Sequence, residues 1–72
     1  MPEMIPVDSS NIKEIGYEED TQELYVEFLN GSLYKYANVP PEIFEEFKEA
    51  DSAGKFLHRR IKLGGFEFER VR

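Results

Sequence analysis

The sequence predicts an α+β domain of two layers, with a three- to four-stranded, mostly antiparallel sheet and two helices on one of its faces, in the order β-β-β-α-α-β. Three observations carry this. Leu24-Tyr25-Val26-Glu27-Phe28 alternates apolar with polar or amphipathic side chains, the period of a half-buried strand, and Asn30-Gly31 follows it as a hairpin signal. From Pro41 to Lys62 the apolar spacing changes to two helical stripes. Phe66-Glu67-Phe68-Glu69 then restores the alternation as a last short strand.

Residues 1–72 form a single domain in this reading, with residues 1–6 an irregular, frayed lead. Asp8-Ser9-Ser10-Asn11 is a cluster of short polar side chains suited to a turn or strand entry. In the segment that follows, Ile15 and Tyr17 share a face and Ile12 falls on the other, unless a bulge near residues 10–13 brings all three together. Gly16 points either to such an irregularity or to a close backbone approach. Glu18-Glu19-Asp20-Thr21 is a polar loop before the clean strand.

The loop after Phe28 has two solutions, and they send the tyrosines of Leu33-Tyr34-Lys35-Tyr36 to opposite faces. A two-residue turn on Asn30-Gly31 sets Val26 opposite Lys35 and builds an outer face of Tyr25, Tyr34 and Tyr36. A three-residue loop, Leu29-Asn30-Gly31, with Gly31 left-handed in a bulge, sets Val26 opposite Tyr34 and Leu24 opposite Tyr36. It gathers five large side chains on one face and leaves Tyr25 beside Lys35 outside, as a cation–π pair. The second register is preferred because a small domain without staples needs the larger core.

Val39-Pro40-Pro41 ends the hairpin, and Pro41 fits the first turn of a helix, where an N–H is not needed. Ile43, Phe44, Phe47 and Ala50 make its inward stripe, with Glu42, Glu45, Glu46 and Glu49 around the rest. Asp51-Ser52-Ala53-Gly54 breaks that helix and supplies Ser52 as the N-cap of the next. Phe56, Leu57, Arg60 and Ile61 form the second inward or half-inward stripe, and Gly64-Gly65 stops it.

The chain has no cysteine, so neither a disulfide nor a thiolate metal site supports it; six phenylalanines and four tyrosines must build much of the core. No stretch resembles a signal peptide or a membrane span, which leads to the expectation of a cytoplasmic protein. The formal charge is −6, unevenly placed: residues 1–54 carry 3 cationic and 13 anionic side chains, residues 55–72 carry 6 and 2. An acidic whole disfavours indiscriminate nucleic-acid binding, while a basic end can act locally within a Debye length of about 8 Å.

Pro6-Val7, Ser9-Ser10, Ile12 and Ile15-Gly16-Tyr17, then Leu24, Val26 and Phe28, then Tyr34-Lys35-Tyr36 and Val39-Pro40, and finally Ser52, Gly54, Phe56 and Ile61 with the aromatic strand, form an ordered pattern. Together these residues resemble the KTSC domain over about residues 6–70, with Tyr34 and Tyr36 as its central, structural mark. That family is named for its occurrence at the C-terminus of lysyl-tRNA synthetases and also occurs as stand-alone bacterial proteins. The resemblance implies an RNA-binding role by association, since the family's function is not established.

Among candidate sites, Lys55, Arg59 and Lys62 fall at i, i+4 and i+7 with His58 on their flank, a pattern able to hold phosphate oxygens. Tyr25 and Lys35 are the exposed ring and cation expected to take part in nucleic-acid binding. The ordinary alternative is a solvated helix face. His58 is the only histidine, and nothing in the sequence joins it to Ser9 or Ser10 as a dyad. The runs Glu18-Glu19-Asp20 and Glu42 to Glu49 lack the spacing and histidines of metal sites. The expectation is therefore a small non-catalytic binding module without metal or cofactor, a monomer that does not touch membranes. RNA is the first partner class, and another protein, met by the acidic helix or an open sheet edge, is the second.

Overall fold

The computed structural model describes residues 2–72 and has the expected α+β architecture, a five-stranded antiparallel sheet in the order β1-β2-β3-β4-β5 with the helices on one face. The strands are β1 (Met4–Pro6), β2 (Ile12–Glu18), β3 (Glu23–Phe28), β4 (Leu33–Tyr36) and β5 (Phe68–Arg70). Helix α1 spans Pro41–Lys48; α2, Ala53–Phe56, runs on without a break into a π-helical segment, Leu57–Lys62. The lead corrects one expectation. Residues 4–6 are an edge strand rather than a frayed end, because Met4, Ile5 and Pro6 pair with Gly16, Ile15 and Glu14 of β2. Met1 lies outside the described residues.

The β3–β4 loop takes the three-residue form. Leu24 faces Tyr36, Tyr25 faces Lys35 and Val26 faces Tyr34, while the N–H groups of Phe28 and Gly31 close the turn on Ser32 and Phe28 carbonyls. Gly31 has φ +95°, a left-handed conformation that disfavours any residue with a Cβ. A bulge between Ile12 and Glu14 brings Ile12, Ile15 and Tyr17 to one face, opposite Phe28, Val26 and Leu24. The irregular spacing of those three residues is thereby resolved.

The helices pack on that face. Phe44 and Phe47 of α1, Ala53 of α2, and Leu57 and Ile61 of the π-helical segment close over Ile12, Ile15, Leu24, Val26 and Tyr36. Pro41 opens α1 as its first residue, and the Ser52 hydroxyl accepts the Lys55 N–H at the start of α2. Arg60 is not half-inward: it is exposed, with its guanidinium over the Phe56 ring and an ion pair to Glu46 at 2.6 Å. The last strand begins two residues later than expected, at Phe68, and pairs with β4 so that Tyr36 faces Phe68 and Tyr34 faces Arg70.

Candidate nucleic-acid interface

The expected cations divide between two grooves. Lys55 and Arg59 line a shallow one of about 400 Å³ with Asp51, Ser52 and Phe56, where α1 gives way to α2. Lys62 lines another, of about 540 Å³, at the far end of the same helix. The α-helical period would set all three on one stripe; the π-helical turn separates them. Leu63 donates its N–H to the His58 carbonyl five residues back, at 3.1 Å, and each residue of this wider turn lags behind its α-helical position. Lys62 is thereby carried round toward the sheet. His58 is exposed on the same helix.

Charge pairing distinguishes these three side chains from most others. Lys13, Lys35, Lys48, Arg60 and Arg72 all have a carboxylate within 4.0 Å. Among the described residues Lys55, Arg59 and Lys62 have none. In a chain of formal charge −6 these cations remain available to an external anion.

Tyr25 and Lys35 do not join them. Strand alternation places both on the opposite face of the sheet, away from the helices. The expected cation–π pair gives way to ion pairs, because the Lys35 ammonium sits 3.0 Å from Glu69 and 3.4 Å from Glu23. Bonding to Glu69 first, and then to Glu23, raises the Lys35 pKa. Thr21 first, with help from Lys35, lowers that of Glu23. This open face also carries Glu14, Glu18 and Glu27, so it presents mainly carboxylates.

The larger groove was not foreseen. Phe28, Tyr34, Tyr36, Phe66 and Phe68 line it, with Asn30 and Ser32 at the hairpin end and Lys62 on the helix side. Tyr34 and Tyr36 thus belong to the helix-covered face, as the preferred register requires, and also form the groove's floor. Tyr36 is 3% exposed and belongs to the core; Tyr34 is half-buried against it. Phe68, at 63%, stands largely in solvent. The sequence shows Phe66 and Phe68 as one alternating pair, but only the β4–β5 pairing brings Phe68 beside Tyr36.

Other motif residues have structural tasks. Ser9 accepts N–H bonds from Asn11 and Ile12 and donates its hydroxyl to Asn11, holding the turn before β2 rather than meeting His58. Gly54 packs against that turn, where an added Cβ would come within 3.3 Å of Asn11 Oδ1. The Ser-Ser and Ser-x-Gly motifs therefore meet as one packing contact. No group of three or more His, Cys, Asp or Glu side chains among the described residues could hold a metal ion. No helix is long and apolar enough to cross a membrane.

The meander closed by a strand that returns after two helices, with the Tyr-x-Tyr strand β4 lying between β3 and the returning β5, defines a short α+β module. A family model for the KTSC domain matches residues 8–66, and the chain belongs to that family. It is 36% identical over 67 residues to an uncharacterised protein of Stutzerimonas stutzeri, covering 93% of this chain and 94% of that one. It is also 40% identical over 68 residues to a lysine–tRNA ligase of Nostoc punctiforme, covering 94% of this chain and 12% of that enzyme. The crystal structure of a KTSC domain protein from Yersinia pestis matches with a TM-score of 0.90 at 34% identity, covering 100% of both chains.

Proposed function

We propose that this KTSC domain is a non-catalytic RNA-binding module that holds phosphate groups along its second helix. The observation that carries the reading is that Lys55, Arg59 and Lys62, all on one helix, have no carboxylate partner in an otherwise acidic chain whose other lysines are all paired; among the described residues Arg70, on β5, is the fourth cation without one. Cations left free of internal partners give up no ion pair on meeting a phosphate. Relatives that are lysine–tRNA ligases add support, since an enzyme that handles tRNA is a natural carrier of an RNA-binding appendage. His58, exposed on the same helix, can add a contact.

The test is fluorescence anisotropy with tRNA and with short RNA oligonucleotides at several salt concentrations. Affinity should fall steeply with salt, and Arg59→Ala should weaken binding to all sequences alike while reducing the log–log salt slope by about one. Absence of binding to either probe at low salt overturns the reading. A second reading, a protein adaptor, is favoured by the acidic face of α1, where Glu42, Glu45, Glu46 and Glu49 are all exposed, and by the open sheet edges, where β1 and β5 each pair on one side only. It predicts a partner in pull-downs that is lost when Glu45 and Glu49 are both changed to lysine.

A further inference from the structure

Resting on the RNA-binding reading and narrowing it, we infer that the aromatic groove receives an unpaired nucleobase of a single-stranded segment, with Phe68 and Tyr34 as its stacking surfaces and Asn30 as a hydrogen-bond donor to its edge. The rings here are arranged unlike those of the core. In the core, Tyr17 lies on Phe44 with planes 15° apart and Phe47 on Phe56 with planes 20° apart, so each pair covers ring faces. In the groove, Phe28 meets Tyr34 edge-on at 89°, and Phe68 is tilted by 41° from Tyr34 and by 36° from Tyr36. None of these contacts covers a face as a stacked pair does. A wedge of tilted rings with an exposed Phe68 at its mouth suits a flat guest, and every nucleobase offers a π face.

The polar rim narrows the guest further. Asn30 Oδ1 accepts two bonds, from the Ser32 N–H at 3.0 Å and the Ser32 hydroxyl at 2.7 Å. Two donors on one atom fix it as the oxygen, so the amide nitrogen is directed elsewhere and has no acceptor among the described residues. An N–H donor beside stacking rings is matched by a ring nitrogen or carbonyl oxygen on a base edge, and the Watson–Crick edge is open only in an unpaired base. Lys62, unpaired and lining the same groove, is placed for the phosphate of that nucleotide. An aliphatic peptide would find apolar surface here, but it would use neither the ring faces nor the cation. Base pairing buries both the faces and the edges of a base within a duplex, so single strands are the substrate class.

The experiment uses RNA hexamers carrying one 2-aminopurine and a duplex of the same sequence. Binding of the single strand should quench the 2-aminopurine emission, and the duplex should bind more weakly. Phe68→Ala, at a largely solvated position, should weaken the single strand by between about fivefold and a hundredfold. Phe68→Trp should retain binding and quenching, whereas Phe68→Leu, which keeps apolar bulk without a π face, should lose the quenching. Equal affinity for the duplex, or a Phe68→Ala variant that binds as the parent does, overturns the groove assignment. If binding in that case still falls on Arg59→Ala, the RNA-binding reading stands without the groove. If no RNA binds, both fall.

Discussion

Tyr17 shows how much one residue can tie together. Its hydroxyl donates to the Val39 carbonyl in the β4–α1 connection, and its ring stacks on Phe44 of α1 with centroids 5.2 Å apart. One side chain therefore links β2 to both the end of the hairpin and the first helix. Tyr17→Phe keeps the stack and removes the bond, leaving the Val39 carbonyl without that donor. The expected loss is about 1 kcal/mol, or a fall in Tm of roughly 4–8 °C for a domain of this size, read by thermal melting. Gly31 acts at the same scale through its backbone alone. A β-branched residue at φ +95° is strained, so Gly31→Val should destabilise the turn that sets the tyrosine register.

At the scale of elements, the first strand depends on a glycine in the second. A Cβ on Gly16 would lie 2.6 Å from Met4 Sδ and 2.9 Å from the Glu3 carbonyl, so β1 and the residues before it cross directly over this position. Gly16→Val should displace β1 while leaving β2–β4 paired. Amide exchange would show it, with lost protection at the β1 amides of Met4 and Ile5 and retained protection at Val26 and Tyr36. The second helix has its own device. Its wider π-helical turn separates Lys62 from Lys55 and Arg59, which explains why a stripe read on the α-helical period becomes two grooves. Gly64 marks its end. A Cβ there would meet the Arg60 carbonyl at 2.5 Å and the Phe66 ring at 3.0 Å, so the ring that walls the aromatic groove rests against this glycine. Gly64→Ala should shift Phe66 and lower stability, read by thermal melting, and on the proposed RNA-binding function it should also weaken RNA binding.

For the whole molecule, the ionisable groups held by the fold predict an alkaline limit. Burial, with a smaller effect of Tyr34, raises the Tyr36 pKa above its usual 10.0; burial, then Glu19 and Glu42, does the same for Tyr17. A folded-state pKa above the unfolded one gives stability that is full below the unfolded value and is lost as pH rises through the folded value. Lys35 acts in the same direction, because deprotonation ends its bonds to Glu69 and Glu23. Melting temperature should therefore decline as pH rises past about 10, and Tyr36→Phe should make that decline shallower.

Much of the fold was legible from local patterns. Alternation gave β3 and β4, stripe spacing gave the helices, Ser52 gave its cap, and Asn30-Gly31 narrowed the hairpin to two registers. Local rules could not show that Met4–Pro6 pairs with β2, because three residues, one of them a proline, carry no strand period. Nor could they show that the helix carrying Lys55 and Lys62 widens in its second half. Nor could local rules show that Tyr25 and the basic helix lie on different faces, with the sheet between them. What the sequence by itself determined was which side chains share a face, since the periods of strand and helix are properties of the backbone. What only the tertiary structure decided was which faces meet and which cations find carboxylates. It also decided that a strand from the end of the chain would set Phe68 beside Tyr34 and Tyr36, because such contacts join residues far apart in sequence.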